Sequence, residues 1–168
     1  MFGLTSLGTV HTAIGLVALV AGLVALSRHG RVSPRSGSGR LYVWATVLTC
    51  LTGFPIFQHG GFGPPHVLGI LTLVVLGIAA LGGRGIFGGG SAYVETVGYS
   101  LTVFFHFIPG LTETFTRLPQ GAPWFSGPDD PLLQTIVGAL FVVFLVGAFL
   151  QVRALRSERG GFLPGRAA

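Results

Sequence analysis

The 168-residue sequence predicts an all-α integral membrane protein, a bundle of about five transmembrane helices with its N-terminus outside and its C-terminus in the cytoplasm. Three observations predict it. Half of the residues are hydrophobic, only 9% are charged and the mean hydropathy is +0.75, whereas a soluble domain carries about 25% charged residues. Apolar runs of bilayer-spanning length recur between glycine- and proline-rich breaks. The few cations are distributed by loop rather than by helix face. The apolar content also excludes a disordered chain. The single cysteine, Cys50, excludes an internal disulfide framework and a thiolate zinc cluster.

A helical span needs about 20 mostly apolar residues. Five runs meet or approach that length: 4–27, 41–58, 66–81, 92–111 and 132–152. The breaks between them are turn-forming: Ser33-Pro34 to Gly39, His59 to Pro65, Gly88-Gly89-Gly90 and Pro119 to Pro131. Residues 1–153 therefore read as one membrane domain and 154–168 as an arginine-rich cytoplasmic tail.

All ten cations are arginine. Arg28, Arg31, Arg35 and Arg40 lie in the first break, Arg84 in the third, and Arg153, Arg156, Arg159 and Arg166 at the end. The second break has none, and the fourth has Arg117 beside Glu113, Asp129 and Asp130. The positive-inside rule then places the N-terminus outside, which requires an odd number of spans. The first run follows no positive n-region, so it reads as a retained helix rather than a cleaved signal. The arginines are not interleaved with aromatics, which argues against nucleic acid. The expected partners are the lipid bilayer, other membrane subunits or a second copy of the chain.

In lipid, small residues let helices approach. The first run carries Gly8, His11, Gly15, Ala18, Gly22 and Ala25 on one seam, and the third carries His66, Gly69, Leu73, Gly77 and Ala80. The second offers a hydroxyl-lined stripe of Tyr42, Thr46, Thr49 and Gly53. In the fourth, Glu95, Gly98, Thr102, His106, Pro109 and Glu113 share a face, with Tyr99 beside it, and Pro109 predicts a kink near His106. Tyr42, Trp44, Tyr93 and Trp124 read as an interfacial aromatic belt.

Ionisable groups within spans are costly and usually mark function. His11, His59, His66 and His106 all fall in the outer third of the predicted bundle. Neutral imidazole ligates metals, so His11, His66, His106 and Glu113 form a candidate set for a transition-metal ion. His11 and His106 alone are candidate axial ligands of a haem b, with space beside Gly8 and Gly15 and walls from Phe104, Phe105 and Phe107. Either cofactor implies a redox or electron-transfer accessory role in a bacterial inner membrane. Two other readings need no cofactor. Glu95, Tyr99, Thr102 and His106 can form the proton or substrate path of a small proton-coupled transporter. The glycine seams can dock a structural accessory subunit onto a larger complex. Glu95 also suits capping of the fourth helix, and Glu113 suits an ion pair with Arg117. No Gly-x-Ser-x-Gly elbow, His-Glu-x-x-His motif or phosphate-cradling glycine loop occurs, so nothing supports a hydrolase.

Residues 11–81 resemble an uncharacterised family of bacterial polytopic membrane proteins, a domain-of-unknown-function group. The resemblance rests on His11 with Gly15 and Gly22, on Gly39-Arg40-Leu41-Tyr42, and on Thr52-Gly53. In that family a histidine usually precedes the Gly-Arg-x-Tyr element, where this chain has Ser36 and Gly37. The resemblance implies a membrane location and supplies no activity.

Overall fold

The computed structural model describes residues 5–57 and 61–160, and His59 and Arg166 fall outside them. The described residues form five α-helices and no strand: α1 (Ser6–His29), α2 (Gly37–Gly53), α3 (Pro64–Gly83), α4 (Ser91–Phe115) and α5 (Pro131–Gly160), with a 3-10 turn at Gly88–Gly90 before α4. Of these, α1, α3 and α5 are long and apolar enough to cross a membrane.

The helix boundaries follow capping chemistry more than hydropathy. Thr5 caps α1 through its hydroxyl, which accepts from Gly8 N–H. The helix ends where Gly30 adopts a left-handed φ of 66° and its N–H returns to the Leu26 carbonyl. Residues 37–40 were expected to be loop, but they form the first turn of α2 because the Ser36 hydroxyl accepts from Gly39 N–H. Gly39 is required there, since a β-carbon would collide with the Ser33 carbonyl. The helix stops at Gly53, five residues short of the expected span. At the other extreme, α5 continues to Gly160, so residues 154–160 of the predicted tail are helical. Arginine ends an apolar run but is a good helix former.

The sequence-adjacent pairs α1/α2 and α3/α4 pack most closely, and α2/α3 and α1/α4 contacts close the four helices into one core. Small residues make this possible. On α1, Gly22 faces the Tyr42 ring and Val103, and Gly15 faces Thr49. Ala18 and Ala25 are fully buried. Between α3 and α4, Gly98 lies against the Ala79 methyl. This turns α3 from the expected face: Thr72, Leu76 and Ala79 are buried, while Gly77 has open space before it. On this face Gly82 also comes up to the α4 backbone, where a β-carbon would lie 2.7 Å from Glu95 N and 2.9 Å from the Ser91 carbonyl oxygen.

The helix α5 packs on the outside of α4. Phe104 points towards it, with ring centroids 5.4 Å from Phe141 and 6.0 Å from Phe144. Leu133 and Leu155 of α5 are also buried, and polar ties add to these: Ser100 donates to Gln151, and Gln151 donates to the Gly30 carbonyl. None of the most apolar stretch of α5 is buried within the chain. Asp130 begins the helix by accepting from Leu132 N–H at 2.9 Å, with Pro131 at the first helical position.

Candidate functional site

The centre of the four-helix core is polar. From α2, the fully buried Tyr42 hydroxyl donates to Thr102 Oγ1 on α4 at 2.7 Å, and Thr102 donates to the Tyr99 carbonyl at 2.8 Å. One turn further along α2, the fully buried Thr46 hydroxyl shares a 2.9 Å hydrogen bond with His106 Nε2. The His106 ring meets the Tyr42 ring edge-on, with centroids 5.8 Å apart. The expected hydroxyl stripe of α2 and the polar stripe of α4 therefore face each other. Tyr42 belongs to this interior and not to an aromatic belt. Trp44 and Trp124 do stand exposed.

His11 joins the same line from α1. Its Nδ1 lies 3.0 Å from the Thr49 carbonyl and 3.3 Å from Thr52 Oγ1. A carbonyl only accepts, so Nδ1 carries the hydrogen and Nε2 keeps a lone pair. Gly53 makes room for the ring, because a β-carbon there would come within 2.9 Å of His11 Cε1. Thr46 and Thr49 are neighbours on one α2 face, so His106 and His11 approach that helix roughly one turn apart. Pro109 lies within a continuous α4 and has no N–H for the Phe105 carbonyl, which leaves that acceptor without its helical donor one residue before His106.

Two carboxylates terminate the line. Towards the arginine-bearing end, Glu95 accepts from Arg35 at 2.9 Å, and Arg35 also donates to the Gly83 carbonyl at 3.1 Å. Glu95 therefore joins the α1–α2 loop to α4 rather than capping its own helix. At the opposite end Glu113 pairs with Arg117 one turn on, as the spacing predicts.

The four-residue metal set does not assemble. No group of three or more His, Cys, Asp or Glu side chains able to hold a metal occurs among the described residues. His66 is occupied elsewhere: its Nδ1 accepts from Gly63 N–H at 3.2 Å, and the ring lies between Phe57 and Phe62, with centroids at 5.1 and 5.3 Å. Among the described residues its Nε2 is buried without a partner. Glu113 is committed to Arg117. Beside Gly15 a β-carbon would already touch the Thr49 methyl carbon at 3.4 Å, which leaves little more than methyl-sized room on that side, and Phe104 turns towards α5. Neither the cavity at the arginine-bearing end nor the apolar depression over Phe62, Pro64 and Val67 is lined by His11 or His106.

Sequence reasoning recognised both stripes but did not pair them, and it missed Arg35 as the partner of Glu95. The three bonds that join α2 and its preceding loop to α4 link residues far apart in sequence, and helical spacing identifies a face without naming its neighbour. No protein-family model matches the chain, nor does any curated protein or solved structure.

Proposed function

We propose that the chain is a multi-pass protein of a bacterial cytoplasmic membrane, its N-terminus outside, whose buried polar line moves protons, as in a small proton-coupled transporter. Support for insertion comes from the long apolar helices α1, α3 and α5 and from their exposed hydrophobic side chains. Support for direction comes from the arginines gathered at one end. The observation that carries the proton reading is the pair of cross-core bonds, Tyr42–Thr102 and Thr46–His106, in the middle of the bundle. Imidazole takes a proton on one nitrogen and releases it from the other, and hydroxyls both donate and accept. A proton also needs no substrate cavity, and neither cavity reaches His106. Glu95 and Glu113 lie towards the two ends of this line.

The test is proton flux into liposomes carrying a pH-sensitive dye and a potassium diffusion potential. Wild-type protein is expected to acidify the lumen, and His106→Phe and Thr46→Val to fall to the level of protein-free liposomes while retaining their helical circular dichroism. Wild-type flux no greater than that of empty liposomes overturns the proposal.

A second reading, a haem b or metal ion in a redox accessory role, has one observation in its favour. The Thr49 carbonyl fixes the His11 tautomer and leaves Nε2 free, which is how second-shell bonds prepare a ligating histidine. Purified protein would then show a Soret band or stoichiometric metal, lost in His11→Ala. A colourless, metal-free preparation from haem- and metal-replete cells refutes it.

Several of the residues behind the resemblance to an uncharacterised bacterial family lie where α1 meets α2: Gly15 by Thr49, Gly22 by Tyr42, and His11 by Gly53.

A further inference from the structure

We propose that the cavity at the arginine-bearing end is a binding site for a phosphate-bearing anion. It is an opening of about 740 Å³ framed by the end of α1, the α1–α2 loop, the start of α4 and the end of α5, within the range of small-ligand sites. Its polar lining includes Arg31, Arg35, Arg159, Glu95, Glu158 and Ser33, over apolar walls that include Val32 and Leu155.

The arginines outnumber the carboxylates and are unequally engaged. Arg35 is held by Glu95 at 2.9 Å and by the Gly83 carbonyl. Arg31 meets Glu158 at 3.5 Å, with the Arg31 side chain half-buried and that of Glu158 exposed. Among the described residues no carboxylate lies within salt-bridge distance of Arg159, which donates to the Gly89 carbonyl at 2.6 Å and covers the Tyr93 ring at 4.9 Å. Each guanidinium presents five N–H donors in a planar fork, so these contacts leave donors on Arg31 and Arg159 for a further acceptor. Tetrahedral phosphate oxygens match that fork bidentately. His29 also borders the opening. Arg28 and Arg84 lie near the same end of the chain's helices and add to its positive field.

The same anion can arrive as a phospholipid headgroup or as free phosphate. Basic pockets between helices on the cytoplasmic side bind anionic headgroups, and exposed apolar residues of α1 and α5, such as Leu23 and Leu150, offer surfaces for acyl chains. This inference stands apart from the proton reading, because it is tested in detergent without a gradient and its outcome does not depend on membrane orientation.

The full chain, purified in a nonionic detergent, is titrated by calorimetry with short-chain phosphatidylglycerol, with phosphatidylcholine of equal chain length, and with inorganic phosphate. Saturable binding that favours phosphatidylglycerol over phosphatidylcholine assigns the site to a headgroup, and binding of inorganic phosphate assigns it to the free ion. Arg31→Gln and Arg159→Gln are each expected to weaken binding about fivefold. Arg28→Gln removes the same charge outside the cavity lining and is expected to change it less than about twofold. Unchanged thermal unfolding without ligand shows that the variants are folded. Absence of binding by both anions, no preference for the anionic lipid together with no phosphate binding, or an Arg28→Gln loss equal to that of Arg31→Gln overturns the proposal.

Discussion

The contact between α3 and α4 allows a quantitative test at Gly98. A β-carbon at this position would lie 2.9 Å from Ala79 Cβ and 3.5 Å from Ala79 Cα. Carbon atoms in contact settle at about 3.5–4.0 Å, so Gly98→Ala must part the helices by roughly 0.6 Å or more. Overpacking of this kind costs about 1–3 kcal/mol, while glycine to alanine in a helix interior gains about 1 kcal/mol. A double-mutant cycle removes the propensity contribution. In the Ala79→Gly background the clash is absent and Gly98→Ala should stabilise, so the coupling between the two substitutions should be about 1–3 kcal/mol. Gly77→Ala, which meets nothing within 4 Å, supplies a control that changes propensity alone. Reversible unfolding in mixed micelles of increasing dodecyl sulfate fraction, followed by far-ultraviolet circular dichroism, reads all of these free energies. A coupling below about 0.5 kcal/mol is within additivity for independent sites and refutes the close approach at position 98.

Three further outcomes are expected. Tyr42→Phe leaves the ring against Gly22 but removes the donor to Thr102, and should cost about 0.6–1 kcal/mol in the same unfolding assay. Arg35→Gln strands a Glu95 side chain that is only 13% exposed and should destabilise the fold by about 1–3 kcal/mol, with recovery in Arg35→Gln/Glu95→Gln; equal stabilities for both variants would contradict a functional ion pair. The Asp130 carboxyl is held below its usual range chiefly by the Ser126 backbone N–H, and further by Leu132 N–H and the Ser126 hydroxyl. A depressed acid contributes stability above its unfolded pKa of about 3.9, and that contribution is lost as pH falls through the lower folded value. The fluorescence of Trp124, in the same loop, should therefore change on acidification below about pH 4, and Asp130→Asn should flatten the change.

Much of the interior was legible from spacing. The seam of α1 and the stripes of α2 and α4 follow from small and hydroxyl residues recurring at helical intervals, and the Glu113–Arg117 pair follows from one helical turn. The partners of these faces were not legible, because helical period is a one-dimensional property and Thr46 meets His106 only after two hairpins have docked. The inward face of α3 was only partly legible from its glycines: Gly69 does come close to the Phe54 ring, whereas Gly77 faces open space and the contacts to α4 run through Ala79 and Gly82. His66 was selected by residue type, whereas its environment comes from Phe57 and Phe62 in the preceding connection. The ends of α2 and α5 were missed because hydropathy measures where apolar side chains stop, while helices stop where their backbone donors and acceptors find other partners.

The three bonds that link α2 and its preceding loop to α4 share one offset. Arg35–Glu95, Tyr42–Thr102 and Thr46–His106 each join residues 60 apart in sequence. A constant offset means that the two helices run parallel and in fixed register. Sliding one past the other by a single turn, about 5.4 Å, would break all three bonds together, with no intermediate setting that keeps two and sacrifices one. Axial register between the two hairpins is thus pinned at three heights by an ion pair, a hydroxyl pair and an imidazole–hydroxyl pair. A rocking or tilting motion about the Tyr42 level stretches only the outer two. The fold consequently resists piston-like displacement far more than it resists rocking, and any conformational cycle it supports would have its pivot at Tyr42.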